Sequence, residues 1–501
     1  MKLWWGWHFL LNLLVATIVH GSAPSNPPIR AGVAKSDITD AAAPAQNPLY
    51  VRALVMRQGE AAAVIITIDA VAIGEIGPIG NEFLPNVRAQ LEKEPGIRPA
   101  QIVVNPSHCH GRVCKDVEQR TVDAVRAAWR NVEDVSVSVG TGHEDRIMEN
   151  RRLKLRDGRE ADVRRAYSLP PSAEVASIGP VDPEIGVLRL DRKDGRPLAV
   201  VYNFACHPIQ GHPAGENTGD ITGFASRVIE DNLGGGAMAF FIQGCGGDIN
   251  PIDYKNAHVP HDAEPLGNML GLSTLAAVRR ARASDAAALR IASEIIELPR
   301  AQLGDRIAKM EAEQKRLLES LKGTALNLET FIPLFVKYNM PGGFPSTHAL
   351  GYLHEKRTGR EHWTKLDAEN RSAIEQYIRN VHVMEELTRL KINLAKLREH
   401  EAANASGQKT VVAEMVVLRV GDFVLVTFPA ELSVQVGLNI KGSSPHEMTF
   451  VGGYTNGYLY YAPTDEQLKN PGWAQEDCDC LLAPGWQKLF EARAAAALKR
   501  I

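Results

Sequence analysis

Residues Leu198-Ala-Val-Val-Tyr-Asn-Phe-Ala205 form an almost unbroken apolar run that halts at Cys206-His207-Pro208. Such a run reads as a strand, and the proline ends it because it has no N–H for the ladder. His207 is left at a strand terminus, where α/β enzymes keep their chemistry. The pattern recurs. Gln101-Ile-Val-Val104 reads as a buried strand and leads into Asn105-Pro-Ser-His108-Cys109-His110. Phe423-Val-Leu-Val-Thr-Phe428 stops at Pro429, with Glu431 just beyond. The aromatic cluster Gly457-Tyr458-Leu-Tyr460-Tyr461 makes a fourth such terminus. Strand alternation places His108 and His110 on one face and Cys109 on the other. Two histidines, a carboxylate and one further oxygen ligand make a four-coordinate zinc site.

Further β-like runs are Ala63–Ile68, Val135–Val139, Ile185–Leu190 and Ala237–Ile242. Helical patterns over Thr121–Asn131 and Ile221–Asn232 alternate with them. This alternation predicts an α/β fold, a layered mixed β-sheet core with flanking helices. The turn Gln243-Gly-Cys-Gly-Gly247 lacks the Gly-Lys-Ser/Thr of a phosphate loop, so its glycines are read as allowing close backbone approach.

From about 301 to 408 the pattern becomes helical. Leu303, Ile307, Met310, Leu317 and Leu321 form one stripe, and Met384, Leu387, Leu390, Leu394 and Leu397 form another. Between them lies an aromatic stretch with Phe331, Ile332, Leu334, Phe335, Tyr338 and Phe344. This helical insertion is either a hairpin packed on the core or a cap over a substrate entrance. It divides a catalytic domain into parts at 28–300 and 409–501, the second carrying Glu431 and the tyrosines.

At the N-terminus, Lys2 precedes the apolar core Phe9–Val19, too short to span a bilayer comfortably. Residues 1–21 are therefore expected to be a signal peptide cut after Gly21. That places the protein in the periplasm or outside the cell, with no integral membrane span after cleavage. A net charge of −3 argues against nucleic acid as the main partner. Six cysteines in an exported chain allow up to three disulfides. Cys109 and Cys206 are expected to be buried and to face away from any metal.

Several ordered motifs carry a resemblance. They are Arg30-Ala-Gly-Val-Ala-Lys-Ser-Asp-Ile-Thr39, Ser107-His-Cys-His110, Asn150-Arg151, Asn203-Phe-Ala-Cys-His-Pro208, Pro429-Ala-Glu431 and Asn456-Gly-Tyr458-Leu-Tyr-Tyr461. Over nearly all of the chain outside the insertion, they resemble the N-terminal catalytic region of the neutral/alkaline (non-lysosomal) ceramidase family. The resemblance implies zinc held by His108, His207, Glu431 and a tyrosine, Tyr458 in preference to Tyr461. It also implies that His110 and Arg151 contact the substrate carbonyl or developing oxyanion. The substrate class implied is an N-acyl, lipid-like amide.

Two departures qualify it. The family's Gly-Asp-x-Ser-Pro element is here Gly247-Asp248-Ile249-Asn250-Pro251, so Asn250 replaces the serine. An amide side chain cannot form an acyl-enzyme. The expected mechanism is attack by a water activated at zinc, with Asn250 donating a hydrogen bond. The chain also stops at Ile501, without room for the family's C-terminal β-sandwich. Asp248 either orients a ligand histidine or caps the turn, and Asp69 has the same two readings. The alternatives are a zinc hydrolase for another amide or an ester, and a non-catalytic ligand-binding relative.

Overall fold

The computed structural model describes Met1 and residues 27–501, except 44, 163–169, 212–216, 253, 255, 257, 285–286, 341–348, 405–406 and 472–473. The expected leader, Met1 apart, lies outside the described residues, as does Phe344.

The fold is α/β with a mixed main sheet. Its principal path runs Met238–Gln243, Pro197–Phe204, Glu184–Arg192, Glu133–His143, Arg30–Asp37, Tyr50–Gln58, Ala61–Ile68, Ile102–Pro106. The interior pairs are antiparallel, and the pair at each end is parallel. A parallel pair needs a crossover. Helix Phe83–Lys93 provides one between Ala61–Ile68 and Ile102–Pro106, burying Phe83, Val87 and Leu91. Helix Asp220–Leu233 provides the other, burying Ile221, Phe224, Ala225 and Ile229. The sheet curls until its two ends meet, where the Gln243 backbone N–H donates to Asn105 Oδ1 at 2.8 Å. This closure brings the termini that precede His108 and His207 to one place.

A second sheet, ordered Leu289–Pro299, Thr410–Val420, Phe423–Thr427, Thr449–Gly452, covers the first. Leu289–Pro299 pairs with Thr410–Val420 along its whole length, ending at Pro299 opposite Thr410. Helices Gly304–Ser320, Leu328–Asn339, Ala349–Thr358 and His362–Asn404 lie between these adjacent strand ends. Leu303, Met310 and Leu317 pack against Leu390, Leu394 and Leu397, with Cys478 in the same cluster. Each fully buried aliphatic side chain contributes about 1.5–3 kcal/mol. Met384 stands 55% exposed, so the second stripe begins later than its spacing predicts.

The disulfide expectation is corrected, since all six cysteines are free thiols. Cys109 packs in the core beneath the Ile102–Pro106 strand and Cys206 in the core beneath Pro197–Phe204, which separates their sulfurs. Among the described residues, no helix is long and apolar enough to cross a membrane.

Candidate metal centre

His108 follows the strand Ile102–Pro106 but adopts φ +69°. The ladder has therefore ended before the histidines, and alternation does not set their directions. Left-handed backbone turns His108 inward, 3% exposed, while His110 stays exposed with its ring 5.6 Å away, edge to face. His207 lies beyond Pro197–Phe204 and is equally buried. Glu431, 2% exposed, follows Phe423–Thr427.

Each histidine is fixed by a backbone carbonyl. His108 Nδ1 lies 2.7 Å from the Val71 oxygen, and His207 Nδ1 lies 3.0 Å from that of Ile249. A carbonyl only accepts, so both Nδ1 atoms carry the proton and both Nε2 atoms carry a lone pair. Those lone pairs face one carboxylate. His207 Nε2 is 2.9 Å from Glu431 Oε2, and His108 Nε2 is 3.6 Å from Oε1. The three donor groups lie within 4.8 Å of one another.

Two lone pairs at that range repel a carboxylate unless a positive charge lies between them. A second proton is disfavoured on His207, because burial, with Arg151 adding to it, lowers its pKa to about 4. The donor set therefore fits a divalent cation, and its N/N/O chemistry suits zinc. The Tyr458 hydroxyl donates to Glu431 Oε1, and that of Tyr454 donates to Oε2 at 3.3 Å. Burial, and then Glu431, push both phenol pKa values well up. Both phenol oxygens thus sit on the carboxylate of the cluster. Val71 and Ala72 pack with these two tyrosines as an apolar wall beside the cluster, with Ile76 and Tyr460 against it.

Arg151 is wholly buried. Its Nε donates to Glu476 Oε1 at 2.7 Å, Nη1 to Asn250 Oδ1 at 3.1 Å, and Nη2 to the Gly247 carbonyl. Its guanidinium lies 5.4 Å from the Tyr461 ring. The Nδ2 of Asn250, also fully buried, has no hydrogen-bond partner among the described residues. Asp248 Oδ1 accepts from the N–H of Val434, the first residue of helix Val434–Ser443. Burial raises the Asp248 pKa. Asp248 thus ties its turn to that helix, and Ile249 and Val71 supply the carbonyls that orient the histidines. Asp69 accepts from Arg52 at 2.9 Å and from the Tyr50 N–H. Gly247 fits the close-approach reading, since a Cβ there would sit 2.5 Å from the Glu431 carbonyl oxygen.

Sequence reasoning missed two residues. Tyr454 directly follows Gly452-Gly453 at the end of strand Thr449–Gly452, a strand terminus like the other four. Glu476 sits in the acidic run Glu476-Asp477, whose two charges match Arg151-Arg152; Asp477 pairs with Arg152 at 2.8 Å. Opposed charge doublets far apart in sequence were the available signal.

No protein-family model matches the chain, and no curated protein matches it. Solved structures do. The neutral ceramidase from Pseudomonas aeruginosa superposes with TM-score 0.60 at 16% identity, over 95% of this chain and 75% of that one. A ceramidase complexed with C2 gives TM-score 0.57 at 14% identity, over 95% and 76%. These likenesses establish a shared fold.

Proposed function

We propose that this chain is an exported, periplasmic or secreted, zinc-dependent hydrolase that cleaves the amide bond of an N-acyl, lipid-like substrate with an activated water. The observation that carries this reading is the cluster of His108, His207 and Glu431, with both Nδ1 protons committed to backbone carbonyls. Ceramidases of the same fold supply the substrate class.

His108, His207 and Glu431 would hold the ion, with Tyr458 as fourth ligand and Tyr454 sharing the carboxylate. Zinc supplies Lewis acidity, lowering the pKa of water to about 7 and polarising an amide carbonyl. Asn250 Nδ2 donates to the substrate oxygen as negative charge develops there, the role of an oxyanion donor. Arg151 touches Asn250 rather than solvent, so it positions that amide and adds positive potential from behind. His110, exposed beside His108, would take the proton that the attacking water gives up and pass it to the nitrogen of the departing amine as the C–N bond breaks. Asp248 anchors the loop bearing Asn250 to the Val434–Ser443 helix, and Tyr461 packs on Arg151.

Protein purified without added metal should contain one zinc per chain by elemental analysis. It should release amine from long-chain N-acyl amides in a panel that includes short amides and esters. Absence of zinc sinks the centre. Zinc with turnover of esters alone replaces the amide by an ester, and zinc without any turnover leaves a ligand-binding relative.

A further inference from the structure

The insertion touches the segment around Asp479, next to the centre, through several groups, a buried histidine among them. His400, on the 43-residue helix His362–Asn404, is 2% exposed. Its Nε2 lies 2.8 Å from Asp479 Oδ1, and its ring meets that of Tyr460 edge-on at 4.5 Å. Lys396, one turn earlier on the same helix, lies 3.8 Å from Asp479 Oδ2. The main-chain carbonyl of Asp479 accepts the N–H of Tyr461, and Tyr460 bridges to Cys480. Tyr460 in turn accepts the backbone N–H of Glu431 at 2.9 Å, and the short strands Glu431–Leu432 and Tyr461–Ala462 pair in parallel. Three hydrogen bonds and the Tyr460–Tyr461 peptide thus link His400 to the backbone of Glu431, and Tyr458 lies on the same loop as Tyr460.

That loop is costly to hold. Tyr454, Asn456 and Tyr460 all have φ near +58°, a region side-chain-bearing residues rarely occupy. Such geometry persists only where surrounding contacts over-determine it. The Asp479 segment is one clamp on the loop, and His400 makes the shorter of the insertion's two contacts to its carboxylate, Lys396 the longer.

We propose that His400 is a positioning residue for the metal centre. It holds Asp479, and through it the Tyr458–Tyr461 loop, so that Tyr458 and Glu431 meet the two histidines in register. The insertion would then serve as a buttress of the centre, whatever it also does at a substrate entrance. The inference rests on the metal reading above and concerns only which residues hold the ligands in place.

The test is zinc affinity of the full-length protein, by competition with a chromophoric chelator, alongside thermal unfolding. His400→Met fills similar space without a donor and should weaken zinc about tenfold or more, the loss typical of residues that orient ligands. His400→Gln can place an amide N–H near the position of Nε2, and should restore affinity to within about threefold of wild type. Leu317→Ala, inside the insertion's own core, should lower the melting temperature and leave zinc affinity unchanged. Asp479→Ala removes the acceptor from the other side and should reproduce the His400→Met loss, which covers the case that His400→Met does not fold. Wild type without zinc defeats the metal reading itself. Zinc-binding wild type with unchanged affinity in either folded variant defeats only the role of His400. Equal weakening in Leu317→Ala does the same, because it would show a general loss of stability.

Discussion

Replacing Glu476 with Gln tests whether the buried arginine pair depends on an ionised carboxylate. Arg151, Arg152, Glu476 and Asp477 are each at most 2% exposed and together carry no net charge. The substitution keeps an oxygen opposite Arg151 Nε, at present 2.7 Å away, and removes only the charge. With charge centres about 4 Å apart and an effective dielectric of about 20, the lost attraction is about 4 kcal/mol. Breaking a buried pair from one side costs about 3–5 kcal/mol by mutational precedent, which agrees. Arg151→Met combined with Glu476→Gln restores neutrality, so the double variant should be destabilised by at least about 2 kcal/mol less than the sum of the singles. Urea unfolding of the four proteins at pH 8 measures the cycle. Burial and the nearby Asp162 and Asp477 oppose ionisation of Glu476, while both arginines favour it. Burial outweighs the arginine contacts and raises the Glu476 pKa to about 7, so at pH 8 the carboxylate is ionised beside Arg151, which stays charged at any working pH. A Glu476→Gln protein as stable as wild type, or more so, would refute this reasoning by showing that burial keeps the acid protonated.

Gly247→Ala should destabilise the fold by about 1–3 kcal/mol through overpacking. It should also weaken zinc, since the added Cβ displaces Glu431; unfolding and chelator competition measure the two effects, and unchanged zinc affinity would contradict the second. Asn250→Ala should lower kcat by about 100-fold with the fold intact, and hydroxylamine should trap no acyl-enzyme from wild type. A trapped acyl adduct would overturn the water mechanism. The metal-free protein should lose stability on acidification because of His207. Its folded pKa of about 4 lies below the ordinary 6.5, so the unfolded chain binds the extra proton between those values. Stability is then full above pH 6.5 and falls by about 3 kcal/mol as pH drops to 4. His207→Gln should flatten that part of the urea-midpoint profile, and an unchanged slope would refute it.

His108, His207 and Glu431 were legible because each follows an apolar run with an unmistakable stop. That inference needs only strand propensity and the chemistry of proline. What each side chain does there was not legible, because it depends on contacts hundreds of residues apart. Arg151 reads as half of a surface doublet until Glu476 lies against it, 325 positions away. His108 and His110 were paired by strand periodicity, yet the strand stops at Pro106 and backbone at +69° buries only the first. The cysteines misled for a related reason. Counting thiols says nothing about distance, and Cys109 and Cys206 belong to different cores.

The meeting of the first sheet's end strands, Gln243 on Asn105, also bears on when the centre can form. His207 and Glu431 are 224 positions apart, and the helical stretch between Pro299 and Thr410 lies in that interval. Loop-closure entropy must be met before such distant contacts reward it, so folding here is governed by high contact order. Until the curled sheet shuts and the Phe423–Thr427 strand docks, only scattered single imidazoles and carboxylates exist, and none of them chelates. Metal capture is thereby a late event that reports completed closure. Once seated, an ion bound to His108, His207 and Glu431 would tie three distant stretches of chain together, and a protease would gain access mainly through the metal-free form.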